Sequence, residues 1–217
     1  MTEMNRRRWL REATWVAAAG VGAANLFQLT GCDSQPKAPA EAPPPPEPVS
    51  ALKAFTAAYG RARSRGGELE ILSISNINIQ KVPSSEGKSG VWQFQFVSHA
   101  QRSIYNVRFA VVDDLPSFRE GAWDSGSQGY DPRGQRAKPF PVAAMRCDST
   151  TAYEIAEKEA GDFIEKNEDL PVNFLLEQTD MYQLPTWRVY WGNSLSTAVY
   201  SVYVDANQSK FLKKGKG

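Results

Sequence analysis

Two thiols and one imidazole are the side chains best suited to nucleophilic or metal chemistry in this 217-residue chain: Cys32, Cys147 and His99. A single histidine cannot build a His-rich metal site, and no Cys or carboxylate pair stands near it at ligand spacing. In Val97-Ser98-His99-Ala100 it reads as an exposed residue at a strand end. A Cys147–His99 nucleophile pair is conceivable, because such partners meet in space and not in sequence. It lacks a third orienting group and an oxyanion loop, so it is not favoured. Cys147 lies just before a helix start, where the dipole would lower a thiol pKa, but Asp148 beside it opposes that effect. It reads better as a small, partly buried apolar residue. No Gly-rich phosphate loop, Ser nucleophile elbow or zinc spacing occurs. Asp113-Asp114 and the acidic stretch 154–169 read as solvated faces rather than a paired acid and base. The expectation is a non-enzyme without catalytic residues, cofactor or metal.

Cys32 is a different case. Arg6, Arg7, Arg8 and Arg11 precede an Ala/Gly-rich apolar stretch from Ala13 to Leu29. A positive flank, a short apolar run and small residues near a cleavage point make residues 1–31 a secretory leader. The alternative is a retained membrane anchor. The run is short of the roughly 20 residues a span needs, and Gly20, Gly22, Asn25 and Gln28 interrupt it. Asn5-Arg6-Arg7-Arg8-Trp9-Leu10-Arg11 resembles the twin-arginine export motif. Arg6 and Arg7 then form the recognition pair, with Trp9 and Leu10 at the aromatic and leucine positions. Leu29-Thr30-Gly31-Cys32 resembles a lipobox. That resemblance implies a diacylglyceryl group on the Cys32 thiol, cleavage before it, and anchoring by acyl chains such as palmitate. Each buried CH₂ contributes about 0.8 kcal/mol, so two or three chains anchor stably where one would not. Asp33 resembles the inner-membrane retention signal of enteric-type Gram-negative lipoproteins. It implies the periplasmic face of the cytoplasmic membrane rather than the outer membrane; a carboxylate there can engage head-group amines.

Without residues 1–31 the chain holds 21 basic and 22 acidic side chains. A near-neutral protein has no electrostatic reason to bind a phosphate backbone, so nucleic acid is excluded as a partner. A lipidated Cys32 leaves Cys147 without a partner, which excludes a disulfide framework. Apolar burial must build the core. Residues 32–48 comprise the lipidated Cys and a tether. Seven of residues 33–48 are proline and none is large and apolar. Such a segment favours extended polyproline II and serves as a spacer of up to roughly 50 Å, in preference to a proline-rich ligand for another domain.

These features need a folded part to position them. Leu52, Phe55, Tyr59 and Ala62 recur at helical spacing over Ser50–Arg63, and Gly66-Gly67 stops the helix. Strands are expected at Glu68–Gln80, with a bulge near Ser75-Asn76, then at Gly90–His99 and Ser103–Val112. After 148 the pattern recurs. Ala152, Ile155, Ala156, Ala160, Phe163 and Ile164 make a helical stripe behind the N-cap candidates Asp148 and Ser149. Strands follow at Val172–Gln178, Thr186–Trp191 and Ala198–Asp205. Residues 49–113 and 148–217 thus each read helix–strand–strand–strand, joined by a linker over 114–147. The expected fold class is α+β, with helices packed on an antiparallel sheet.

Asp148-Ser149-x-x-Ala152-x-x-Ile155-Ala156, Trp187-Arg-Val-Tyr and Val202-Tyr-Val-Asp205-Ala206 together resemble the PepSY domain (peptidase propeptide and YpeB). Residues 50–113 resemble a more divergent copy. The resemblance implies a non-catalytic, inhibitory or regulatory role toward a protein partner in the envelope, such as a secreted peptidase. Aromatic residues alternate between strand faces, so half are expected in the core. The rest, with the linker aromatics, form a candidate binding surface at Trp123, Tyr130 and Trp191. Two other classes stay open: a small-ligand or cell-wall binding lipoprotein, and an enzyme with an unrecognised site.

Overall fold

The computed structural model describes residues 44–65 and 67–216. Arg6, Arg7, Trp9, Leu10, Cys32 and Asp33 therefore lie outside the described residues. Helix α1 (Ala51–Arg63) begins at Ser50, whose extended backbone and Oγ cap the first turn by accepting from Lys53 N. Its buried stripe is Ala51, Ala54, Phe55, Ala58 and Ala62. Helix α2 (Ser149–Ile164) begins at Asp148 and buries Ala152, Ala156 and Ala160 at four-residue spacing. Alanine stripes let both helices approach the sheet closely. Among the described residues no helix is long and apolar enough to cross a membrane.

The strands are β1 (Val49–Ser50), β2 (Glu70–Ile77), β3 (Lys88–Ser89), β4 (Val91–Ser98), β5 (Ser103–Ala110), β6 (Gly121–Gly129), β7 (Val172–Thr179), β8 (Tyr182–Trp191), β9 (Tyr200–Asp205) and β10 (Lys210–Lys216). β1 and β3 make a two-stranded ribbon, and the other eight form one sheet in the order β10-β9-β8-β7-β2-β4-β5-β6. Every pair in it is antiparallel. The two halves meet along β2 and β7, where Ser73, Ile74 and Ser75 face Glu177, Leu176 and Leu175. Beyond Ser75 a side chain takes over from the backbone: Asn76 Oδ1 accepts from Phe174 N at 2.8 Å. From that seam each half runs outward as a meander of four strands. α1 lies over β4–β6 and α2 over β8–β10. The α+β class read from the sequence is the class observed.

One face of the sheet carries the core. Trp92, Phe94, Phe96, Phe174, Leu176, Trp187, Val189, Val202 and Val204 point toward the helices and are fully buried. Burying each large side chain stabilises the fold by about 1.5–3 kcal/mol. The indoles are held by matching contacts. Trp92 Nε1 donates to Val49 O at 2.8 Å and Trp187 Nε1 to Cys147 O at 2.9 Å. Each carbonyl belongs to the residue just before a helix N-cap, and the two rings meet edge to face at 6.5 Å.

Three sequence expectations need correction. The segment 114–147 is more than a linker, because β6 lies within it and pairs along the length of β5. β10 was likewise not anticipated. These are the two edge strands, half covered at most, so neither needs alternating apolar residues; the lysines of β10 suit an open edge. The bulge lies between Ile71 and Ser73, not near Ser75-Asn76, which pair regularly with Gln93 and Trp92. The extra residue lets Ile71 and Ile74 both face the core while Leu72 packs with Val97, Ile104 and Tyr130 on the opposite face.

Candidate functional site

The expected aromatic surface is not formed. Trp191 is 3% exposed in the main core and Tyr130 is 7% exposed against Leu72, Val97 and Ile104. Trp123 is half-buried, edge to face with Phe118 at 6.4 Å. Trp191 takes the core phase of β8 together with Trp187 and Val189, while the linker aromatics fold back to seal the sheet.

What lies open is the face of the sheet without helices. Cross-strand register places Tyr203, Arg188, Leu175, Ser75, Gln93, Arg108 and Trp123 in one row spanning seven strands. All seven are partly exposed. A second row holds Thr186, Glu177, Ser73, Gln95 and Asn106. Ser73 Oγ donates to Gln95 Oε1 at 2.7 Å, and Gln95 Nε2 donates to Asn106 Oδ1 at 2.9 Å. Such a ladder fixes polar side chains on a rigid platform.

Two arginines stand out on this face. Arg108 Nε donates to Gln93 Oε1 at 3.2 Å, and Arg188 Nε to Ser201 Oγ at 3.0 Å. The Arg188 guanidinium lies 5.6 Å from the ring centres of both Tyr190 and Tyr203. Among the described residues neither arginine meets a carboxylate, whereas Arg61 and Arg65 share Asp124 and Arg136 pairs with Glu177. Burial pushes the Tyr190 phenol above its ordinary range, and the Arg188 charge partly offsets this.

Beside Arg188, at the β7–β8 turn, is a pocket of about 280 Å³ lined by Arg136, Glu177, Met181, Tyr182, Arg188 and Tyr203. Tyr182 Oη is buried there and has no hydrogen-bond partner among the described residues. Its phenol is pushed above the ordinary range, first by burial and then by Tyr203. A wider cleft of about 490 Å³ lies between the 78–86 loop and the end of α2, lined by Asn78, Pro83, Glu86, Tyr153, Asn167 and Asp169 among others. Its charged lining is acidic, and no group of three metal-ligating side chains occurs among the described residues.

His99 is exposed, as expected, with Nε2 at 2.7 Å from Glu70 Oε2 and the ring edge to face with Tyr130. Cys147 is 2% exposed in the main core. Burial pushes its thiol above the ordinary value of 9.0, with Asp148 adding to the effect against a Ser209 hydrogen bond. The two residues have different neighbours and form no nucleophile pair. Arg188 and Tyr182 were not singled out from sequence, whereas Tyr190 and Tyr203 belong to the strand aromatics read as alternating between faces. One signal was present: in Trp187-Arg188-Val189-Tyr190-Trp191 the alternation puts Arg188 and Tyr190 opposite the core phase.

No family model matches the chain and no curated protein matches it, so the likeness to the PepSY domain rests on the residues quoted above. Among solved structures, a protein of Clostridium difficile 630 described as a "putative lipoprotein" aligns over 76% of this chain and 93% of its own, with 13% identity and a TM-score of 0.45.

Proposed function

We propose that the chain is an exported lipoprotein, anchored through acylated Cys32, that acts as a non-catalytic binding module for a protein of the cell envelope. It stands on the periplasmic face of the cytoplasmic membrane and reaches its partner across the proline-rich tether. The leader, the Cys32 motif and Asp33 support the location. The observation that carries the binding role is the helix-free sheet face, with its rigid row of partly exposed side chains and two arginines that meet no carboxylate among the described residues. Arginine and tyrosine are the residue types enriched where protein partners dock. The pocket beside Arg188 favours a second reading, a small-ligand binding lipoprotein.

Site-specific photo-crosslinking in intact cells separates this from the alternatives. Crosslinkers at Ser75 and Gln93, in the middle of the row, are expected to give a discrete adduct. A crosslinker at Lys158, exposed on α2, is expected to give none. Equal adducts from all three positions, or none from the face, would overturn the reading.

A further inference from the structure

We infer that the pocket at the β7–β8 turn is a carboxylate site, taking a monoanionic carboxylate carried on a flat apolar group. This deepens the binding role proposed above and rests on it. Two carboxylates line the pocket, and both are already engaged: Glu177 with Arg136, and Asp180 with Lys138. Arg188 is the remaining charge. Its Nε is committed to Ser201 Oγ, and its two Nη groups make no hydrogen bond to the described residues. The guanidinium lies 5.6 Å from the ring centres of both Tyr190 and Tyr203, and these contacts with the Nε bond restrict its planar fork before a ligand arrives. A fixed fork with free Nη donors matches the two oxygens of a carboxylate.

The rest of the pocket selects the body of the ligand. Met181 and the rings of Tyr182 and Tyr203, 5.5 Å apart, supply apolar walls. One uncompensated positive charge suits a monoanion better than a phosphate dianion, which would need further cations once taken out of water. Tyr182 Oη adds an independent sign. A buried hydroxyl without a partner is unfavourable, and an entering acceptor relieves it. A carboxylate oxygen entering as the Tyr182 and Tyr203 rings part would accept from it. The same chemistry is presented by a free aromatic acid and by the C-terminus of a polypeptide ending in an apolar residue.

Calorimetry on residues 44–217, which form one compact unit, tests this. The probes are N-acetyl-phenylalanine, its amide, inorganic phosphate, and a peptide ending in Phe with a free or amidated terminus. The acid is expected to bind at least about tenfold more tightly than the amide, reflecting the Arg188 contact. Arg188→Lys should weaken the acid about tenfold and Arg188→Met should abolish binding. Tyr182→Phe should weaken binding while leaving thermal stability unchanged or raised, since it removes an unsatisfied hydroxyl. That opposite movement would not come from a merely structural tyrosine. A free-terminus peptide that binds more tightly than the acid points to a chain terminus; one that binds no better points to a free acid. Equal affinity for acid and amide, tighter binding of phosphate, or full binding by folded Arg188→Met would overturn the inference. Failure here with crosslinks retained at Ser75 and Gln93 removes the pocket and leaves the binding face. Acid binding without those crosslinks leaves the pocket and removes the protein partner.

Discussion

Asp148 and Leu52 are 96 residues apart, yet Asp148 Oδ1 accepts a hydrogen bond from Leu52 N at 2.9 Å. The same oxygen accepts from Ser149 N at 2.7 Å, so the residue that caps α2 also caps α1. Ser149 Oγ completes the junction, accepting from Ala51 N and donating to Gly87 O. Gly87 has a φ of +78°, and a Cβ there would collide with the Thr150 backbone, so the approach requires glycine. The free N–H groups of two helix starts are thus satisfied at one point, where both dipoles favour a carboxylate.

Asp148→Ala is therefore expected to destabilise the 44–217 fragment by about 2 kcal/mol, more than an ordinary cap, because it uncovers donors on both helices. Asp148→Asn should cost less, since it keeps an acceptor. Urea unfolding reads the effect as a lower midpoint at constant slope. A loss below about 0.5 kcal/mol would show that the shared cap contributes little.

Trp92 and Trp187 should respond alike. Replacing either by Phe removes ring volume and leaves a carbonyl, part-buried Val49 O or buried Cys147 O, without its donor. Each change is expected to cost about 2–4 kcal/mol. A large difference between the two would mean that the matching geometry does not reflect matching energetics.

Stability should fall on the alkaline side. Burial raises the Cys147 thiol above 9.0 and is the first cause pushing the Tyr153 phenol from 10.0 up to about 12, with Glu157 reinforcing it. The folded state therefore holds these protons at pH values where the unfolded chain has released them. Stability is full below the unfolded values and declines as pH rises through them toward the folded ones. Melting temperature is expected to be steady up to about pH 9 and to drop beyond it; Cys147→Ala should shift the onset toward about pH 10. A melting temperature unchanged to about pH 11 would contradict the burial of these groups.

Cys32→Ala should abolish metabolic lipid labelling and release the protein from membranes, and changing Arg6 and Arg7 to Lys should block export. Unchanged labelling would refute Cys32 as the acceptor. Processing of the double-Lys precursor through the general secretory route would refute the twin-arginine assignment alone. On a density gradient the wild type is expected with the cytoplasmic membrane, and Asp33→Ser should move it outward. Sedimentation of the wild type with the outer membrane would refute retention by Asp33.

The sequence by itself determined the helices, the six inner strands and the fold class. In those segments one face is buried, and burial writes a period of 3.6 or 2 into the residue types, as in Ala152-Ala156-Ala160 and Trp92-Phe94-Phe96. Tertiary structure alone decided the edges and the site. β6 and β10 pair on one side only and need no such period, so nothing local announces them. The bulge at Leu72 reversed the facing of one strand segment, and the 130–141 segment closed over Tyr130. That left Arg188, partly exposed and close to two tyrosines from different strands, on the open face. A charge without a carboxylate partner is defined by what surrounds it in space. The side chains that surround Arg188 come from β7, β8, β9 and the 130–141 segment, which only the closed sheet brings together.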